Sequence, residues 1–272
     1  MRVFERIVLL VFALVLLVFA GAMGYDLLLV DHKAPIIESD SELITVSVHD
    51  PEEALLQGIT AVDKRDGDLT EQVMVQSVSA LIDSNTAKVS YVVFDQANNM
   101  ASYSRKVQYS DYEKPRFSLD QALVYRTGGT IELLDRLKAV DVLDGNISNK
   151  IRVTAQNVDI SNAGTYEVTV QVTNSMGDTT TLPLTVVIND YVYLQVIRLS
   201  EYLSYVDVGA DFDPADYVER VTPRAGFDGS VEDLSITSNV NTKEPGIYEV
   251  EYRYDFPAEE RTYTVYQTVI VE

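Results

Sequence analysis

Two segments of this chain follow almost the same pattern. Residues 61–73 read AVDKRDGDLTEQV, and residues 139–151 read AVDVLDGNISNKI. Their first residues lie 78 positions apart (139 − 61). Self-similarity at a fixed spacing is typical of tandem copies of one small domain, and it argues against one large enzyme fold. A chain of 272 residues has room for about three such copies.

Strict alternation of apolar and polar residues predicts strands in the later copies. It extends over 166–173 and over 248–255, so each strand should bury one face and expose the other. A Gly-x-Tyr sequence opens each strand, at Gly164 and at Gly246. We expect both glycines to adopt positive φ, which glycine does without steric cost.

The first copy carries a weaker version of this strand. Asn85 stands in place of the glycine, and we expect it to hold a left-handed conformation. Apolar residues fill the inward positions of 89–93. Val92 and Phe94 make the opposite side apolar too, so this strand is expected to be covered on both faces.

Short strands with turn signals at this spacing predict an all-β fold of tandem Ig-like β-sandwiches. Polar or proline-containing breaks at 111–115 and 189–190 mark the boundaries. The apolar spacing of 131–140 predicts one short helix within a connection. The predicted modules are module 1 (33–111), module 2 (112–190) and a divergent module 3 (191–272).

The N-terminus predicts a transmembrane helix. Residues 7–25 carry no charge, and these 19 residues (25 − 7 + 1) are about the length needed to cross a bilayer core of roughly 30 Å as a helix. Arg2 and Arg6 precede this run, while Asp26 and Asp31 follow the uncharged stretch. By the positive-inside rule, residues 1–31 form a short cytoplasmic tail and a signal anchor, and the modules are extracytoplasmic at the cell membrane.

A cleaved signal peptide competes with the anchor. Ala20-Gly21-Ala22 has the small-x-small form of a cleavage site, so cleavage after Ala22 stays open. The long apolar run, extended by 27–30, favours a helix that is retained. Either alternative predicts that the rest of the chain is exported.

The charge and the missing cysteines exclude several classes of function. The formal net charge is −21, so nothing favours contact with a nucleic acid backbone. The chain has no Cys, which excludes disulfides and thiolate-ligated metals. His32 and His49 are the only histidines, and both are expected to be ordinary surface residues.

The repeated motifs resemble bacterial surface Ig-like repeats. They are most similar to the Ig-like domain named after a pesticidal crystal protein, and they are related in style to HYR modules. Module 1 has Ala61, Asp63, the segment 66–70, a D-Q-A-N-N turn at 95–99 and a proline-marked opening strand at 34–37. Module 2 has Ala139, Asp141, the segment 144–148, the turn 163–166 and N-S-M-G-D at 174–178.

Module 3 departs from this pattern. It keeps Asp228-Gly229-Ser230 and Pro245-Gly246-Ile247-Tyr248. It lacks the Ala-x-Asp before the Asp-Gly, and it has 256–259 (FPAE) at the hairpin. The resemblance implies an Ig-like fold at a cell surface and implies no ligand, because such folds host many functions.

The Asp-rich turns are the candidate metal site. Carboxylate and carbonyl oxygens are the ligands that Ca²⁺ prefers, and extracellular modules often bind it weakly. The alternative is structural, because Asp-Gly forms tight turns whose neighbours cap backbone amides. The candidate calcium ligands are Asp63, Asp66, Asp68, Asp141, Asp144 and Asn146.

No nucleophile motif or phosphate loop stands out, so we expect no catalytic residues, no organic cofactor and no enzyme activity. The predicted function is adhesion or ligand binding at the cell surface, and a spacer without a ligand is the alternative. The predicted partners are the membrane, through the N-terminal helix, and a cell-surface protein or polysaccharide. Nucleic acid is not an expected partner.

Overall fold

A computed structural model of the chain describes residues 2–29, 31–190, 195–224, 227–256 and 261–272. The chain divides into two compact units, residues 1–111 and residues 112–272. The first unit holds the N-terminal helix and module 1. The second unit holds modules 2 and 3.

The N-terminal helix, α1, spans Arg2–Leu29. Within the described residues it is the one helix long and apolar enough to cross a membrane, over Phe4–Gly24. A signal sequence would meet the same criterion, so the alternatives of anchor and signal peptide both stand.

In the part of the chain that the structure describes, each module has seven strands in two sheets with one repeated topology. The first, third and fourth strands form a three-stranded sheet, and the other four form the second sheet. The second strand pairs in parallel with the last, and the remaining pairs are antiparallel. The predicted fold class of tandem all-β Ig-like sandwiches after an N-terminal apolar helix is confirmed.

Module 1 orders its sheets β1-β3-β4 and β2-β7-β6-β5. A 3₁₀ turn over Glu52–Leu56 connects the second and third strands, and another over Thr70–Gln72 precedes the fifth. The strands are β1 Ile36–Ser39, β2 Leu43–Val46, β3 Ile59–Asp63, β4 Gly67–Asp68, β5 Met74–Val78, β6 Thr86–Phe94 and β7 Met100–Tyr109.

Module 2 orders its sheets β8-β10-β11 and β9-β14-β13-β12. The α2 helix, Leu133–Arg136, replaces the first 3₁₀ turn of module 1, and a 3₁₀ turn over Ser148–Lys150 matches the second. The strands are β8 Arg116–Leu119, β9 Val124–Arg126, β10 Leu137–Asp141, β11 Gly145–Asn146, β12 Arg152–Gln156, β13 Gly164–Thr173 and β14 Thr179–Asn189.

Module 3 orders its sheets β15-β17-β18 and β16-β21-β20-β19. Its 3₁₀ turns span Pro214–Tyr217 and Val231–Asp233. The predicted start of the module at 191 and most of its hairpin at 256–259 lie outside the described residues. The strands are β15 Ile197–Leu199, β16 Leu203–Val206, β17 Val218–Arg224, β18 Phe227–Gly229, β19 Leu234–Ser238, β20 Gly246–Phe256 and β21 Arg261–Val271.

Three local predictions about backbone conformation are wrong. Gly164, Gly246 and Asn85 are not among the residues with positive φ. A Cβ on Gly246 would come within 3.2 Å of the ring of Tyr248, whereas a Cβ on Gly164 would lie 3.6 Å from the Tyr166 ring, an ordinary contact. Tyr248 donates a hydrogen bond back to the carbonyl oxygen of residue 244, at 3.0 Å. Close packing against this ring, and not a left-handed turn, favours glycine at position 246.

The helix predicted over 131–140 is only partly present. The α2 helix ends at Arg136, and residues 137–140 belong to strand β10. Leu137 and Ala139 are buried while Lys138 and Val140 are exposed, which is the alternation of a strand. Pairing with β8 therefore overrides the local helical pattern.

Modules 2 and 3 share one apolar core. A single cluster of buried residues runs from Phe117 of module 2 to Val271 of module 3. Tyr205 of module 3 donates a hydrogen bond to the Phe117 carbonyl at 3.2 Å and accepts one from the Phe117 amide at 2.9 Å. Arg116 lies over the Tyr205 ring, 4.8 Å from its centroid. These contacts hold the two modules together as one unit.

Candidate functional site at the N-terminal end of module 1

Three segments meet at the end of module 1 where the chain enters from α1. They are the linker 31–33, the Asp-Gly turn 63–66 and the β6–β7 hairpin turn 95–99. The side-chain amide of Asn99 donates to the carbonyl oxygens of Asp31, at 3.0 Å, and Lys33, at 3.3 Å. These bonds tie the hairpin to the linker.

A cluster of three carboxylates lies between these segments. Asp31, Asp63 and Asp95 each place one oxygen within 4.8 Å of the others. Asp63 and Asp95 are buried, with 4% and 6% of their surfaces exposed. Among the described residues this is the acidic group arranged so that it could hold a metal ion.

Backbone amides hold two of these carboxylates in place. Asp63 Oδ1 accepts hydrogen bonds from the amides of Arg65, at 2.6 Å, and Asp66, at 2.9 Å. These bonds, the one from Asp66 first, lower the pKa of Asp63 below its ordinary value. Asp95 accepts from both the backbone amide and the side-chain amide of Asn99, each at 2.7 Å.

The other two predicted ligands of module 1, Asp66 and Asp68, accept hydrogen bonds outside this cluster. Asp66 accepts a hydrogen bond from the Gln96 amide at 2.9 Å, which joins the turn to the hairpin. Asp68 accepts one from the Thr70 amide at 2.9 Å, and hydrogen bonds from Thr70 lower its pKa. Both carboxylates lie outside the three-carboxylate cluster.

At the same end of module 2, a neutral amide and a phenol lie between two acids. Asp141 is buried and accepts a hydrogen bond from the Asn174 side-chain amide at 2.9 Å. Asn174 also donates to the Tyr112 hydroxyl at 2.8 Å, and Tyr112 donates to Asp178 at 3.0 Å. Burial raises the pKa of Tyr112, so its phenol stays protonated and acts as a donor.

The remaining predicted ligands of module 2 also stabilise turns. Asp144 pairs with Lys150 at 2.8 Å and accepts hydrogen bonds from the amide and hydroxyl of Ser175. The hydrogen bonds from Lys150 and Ser175 lower the pKa of Asp144. Asn146 accepts hydrogen bonds from the amide of Ser148, at 3.0 Å, and from its hydroxyl, at 2.7 Å.

Module 2 also carries the match to a known family. Residues 120–188 match the family model of the bacterial surface protein Ig-like domain. The predicted resemblance to bacterial surface Ig-like repeats is therefore confirmed. The matched Ig-like segment runs from the end of β8 to the end of β14 and so includes Asp141, Asp144 and Asn174.

One relative matches over a longer stretch. The pesticidal crystal protein Cry22Aa of Bacillus thuringiensis is 27% identical over 225 residues, which cover 80% of this chain and 30% of that protein. The chain thus spans less than a third of the length of that relative. The match extends the similarity beyond the Ig-like segment of module 2.

Solved structures are similar only at a distance. The CBM51-2 and INT domains of Clostridium perfringens ZmpB, in complex with GlcNAc, match at 16% identity and a TM-score of 0.23, over 57% of this chain and 42% of that one. Drosophila N-cadherin EC1-3 matches at 11% identity and a TM-score of 0.32, over 85% and 98%. At these scores the likenesses say nothing about what this chain binds.

The three carboxylates of module 1 supply part of the ligand set that a calcium ion takes. Ca²⁺ takes six to eight oxygen ligands, and three carboxylates supply at most six. Asp63 is the one predicted ligand in the cluster, so calcium binding by the Asp-Gly turns stays a prediction. Asp31 and Asp95 were not predicted from the sequence as its neighbours. The D-Q-A-N-N turn, which indicated only the fold, is the sequence signal that contains Asp95.

Proposed function

We propose that this chain is a membrane-anchored, extracytoplasmic protein whose Ig-like modules bind a protein or polysaccharide at the cell surface. The observation that carries the proposal is a helix of membrane-spanning length followed directly by β-sandwiches, one of which matches a bacterial surface family. The modules perform no catalysis in this proposal.

The use of the acidic side chains supports a role without catalysis. Asp63, Asp141 and Asp144 accept hydrogen bonds from backbone amides of their own turns or of a neighbouring hairpin. Carboxylates held in this way stabilise loops. General acid–base catalysis would instead place them against a bound substrate.

The membrane topology is tested first. Because the chain has no Cys, a single cysteine at exposed Ala97 gives one labelling site. On intact cells, a membrane-impermeant maleimide should label Ala97→Cys as fully as it does in lysed cells. Labelling that needs lysis would contradict an extracytoplasmic location. Release of the labelled chain by alkaline carbonate would contradict the anchor.

Binding is tested with the full chain in nanodiscs. The discs are incubated with purified cell-wall polysaccharide and, separately, with a surface-protein extract, in buffer with and without calcium. We expect saturable retention on one of the two, with empty discs as the control. Discs that carry folded protein and retain neither would overturn the binding role.

The alternative function is a spacer, and the shared core of modules 2 and 3 favours it. A continuous apolar core from Phe117 to Val271 makes two modules into one stiff body, which suits a stalk. In that case the binding experiment gives no retention, while the labelling experiment still reports an extracytoplasmic anchor.

A further inference from the structure

One face of the four-stranded sheet in module 1 is apolar and exposed. Met74 pairs with Val92, and Phe94 pairs with Met100, all on the face that points away from buried Tyr91. Phe94, Met74 and Met100 expose 40%, 53% and 55% of their surfaces around Val92, which is buried. We call these four residues the module 1 patch. Its exposure corrects the prediction that both faces of this strand are covered.

The fold itself does not require this patch. The corresponding register positions are polar in the other two modules. In module 2 the hydroxyls of Thr173 and Thr179 lie 2.8 Å apart where module 1 has Phe94 and Met100. The residues at the four positions are Arg152, Gln171, Thr173 and Thr179 in module 2, and Ser235, Arg253, Asp255 and Thr262 in module 3.

The patch lies at the end of module 1 that is nearest to α1 along the chain. Phe94 and Met100 are the last pair before the hairpin turn, and Asn99 of that turn is bonded to the Asp31 carbonyl at 3.0 Å. The α1 helix ends at Leu29, two residues earlier, and two residues span at most about 7 Å. The hairpin turn is therefore held beside the end of the apolar helix.

Basic side chains occur at the same end. Lys33 follows the linker, and exposed Lys64 and Arg65 form the tip of the turn that is bonded to the hairpin. The corresponding residues of module 2 are Glu113, Val142 and Leu143. Module 1 thus combines exposed apolar side chains with basic ones beside its three carboxylates, whereas the matching patch positions of module 2 are polar. Such a combination suits the boundary between lipid headgroups and water.

We propose that the module 1 patch, with Lys33, Lys64 and Arg65, docks on the lipid surface from which α1 emerges. This inference rests on the proposed membrane anchor. Phe94 and Met100 enter the headgroup region, and the basic residues face lipid phosphates. A second copy of the chain is the weaker occupant, because the Asn99–Asp31 bond holds the hairpin turn beside the end of α1, where the proposed anchor meets the bilayer.

The test measures the depth of the hairpin in nanodiscs of phosphatidylcholine and phosphatidylglycerol in equal parts. Ala97→Cys carries an environment-sensitive fluorophore, and lipids with a spin label in the headgroup region act as quenchers. Met176→Cys, at the matching position of the module 2 hairpin, is the control. We expect strong quenching at position 97 and little at position 176.

Two sets of substitutions then test the two kinds of contact. Phe94→Thr with Met100→Thr installs the residues of module 2, and it should lower the ratio of docked to undocked ends roughly tenfold, because an apolar side chain loses its burial. Lys33→Glu with Lys64→Gln should reduce quenching in these discs and have little effect in discs of phosphatidylcholine alone. Unchanged circular dichroism confirms that each variant folds.

The outcomes separate the two proposals. A chain that does not stay with the disc overturns the anchor itself. A chain that stays in the disc with equal, weak quenching at both positions overturns only the docking. Energy transfer between labelled hairpins of two chains, without lipid quenching, assigns the patch to a second copy and also overturns lipid docking.

Discussion

In module 1, Tyr91 and Arg105 fill the inner face of the four-stranded sheet, whereas module 2 has Val170 and Leu184 at the same register positions. The Tyr91 hydroxyl donates to the Leu55 carbonyl at 2.6 Å and accepts from Arg105 Nε at 2.9 Å. One topology therefore tolerates a buried polar network or an aliphatic core. The fold depends on register and total burial, and the chemistry of each module can diverge.

The N-terminal ends of the two modules also differ in the charge of their buried side chains. Module 1 gathers three carboxylates, while module 2 replaces Asp95 by Asn174, which donates to Asp141. In module 2 the buried Asp141 therefore has a neutral hydrogen-bond donor within the module. Module 1 leaves like charges close together, and an external cation would compensate them.

The largest expected effect comes from breaking the polar core of module 1. Arg105→Ala removes the donor to the Leu55 and Gln57 carbonyls and to the Tyr91 hydroxyl. Leaving several buried acceptors unsatisfied should cost roughly 3–5 kcal/mol of the free energy of unfolding. Urea denaturation of the full chain in detergent, followed by circular dichroism, measures this cost.

Two further variants sharpen that result. Tyr91→Val with Arg105→Leu copies module 2 and should cost less than the sum of the two single substitutions, because the side chains contact each other. Exposed Lys106→Ala should change stability by less than about 0.5 kcal/mol. A loss below about 1 kcal/mol for Arg105→Ala would contradict a structural role for the network.

The second prediction makes module 2 resemble module 1. Asn174→Asp places a carboxylate about 3 Å from buried Asp141 and should cost roughly 2–4 kcal/mol at neutral pH. Asn174→Ala, which removes the donor without adding charge, should cost less. The extra cost of Asn174→Asp over Asn174→Ala should disappear as the pH falls, because the added carboxyl becomes protonated and can donate to Asp141 as the amide does. Equal costs at neutral pH would show that charge repulsion is unimportant here.

The third prediction concerns pH. Because hydrogen bonds from Lys150 and Ser175 lower the pKa of Asp144, its ionised form stabilises the folded state above the unfolded pKa of about 3.9. Asp144→Asn should cost about 1–2 kcal/mol at pH 7, and the cost should disappear as the pH falls through the lower, folded-state pKa. Chemical denaturation at several pH values measures it.

Module 1 supplies the control for this experiment. Asp66 is the counterpart of Asp144, and it accepts a hydrogen bond from the Gln96 amide. Without a bonded lysine, Asp66→Asn should cost less than Asp144→Asn at neutral pH. A pH-independent loss for Asp144→Asn would instead indicate altered packing.

The last prediction, of a size similar to the effect at Asp144, concerns calcium. If the cluster of module 1 binds Ca²⁺ with a dissociation constant near 1 mM, then 10 mM calcium should stabilise the first unit by about 1–2 kcal/mol. Asp95→Asn, which copies module 2, should abolish this gain, and magnesium should reproduce little of it. Equal gains in the wild type and the variant would contradict a site at these three residues.

The sequence alone predicted the strands whose patterns are local. Alternation over 166–173 and 248–255 located β13 and β20, because a period of two needs no partner strand to be recognised. The repeated Asp-Gly segments likewise indicated tandem modules. In the same way the uncharged run over 7–25 predicted α1.

Tertiary structure decided what depends on contacts between distant segments. Pairing with β8 turned residues 137–140 into a strand, and the ring of Tyr248 explains Gly246. Asp31, Asp63 and Asp95 meet only because three turns of the sandwich converge at one end. The exposure of the module 1 patch likewise depends on which face of β6 packs inward. Local sequence patterns specify periodicity, while the packing of distant segments determines which side chains become neighbours.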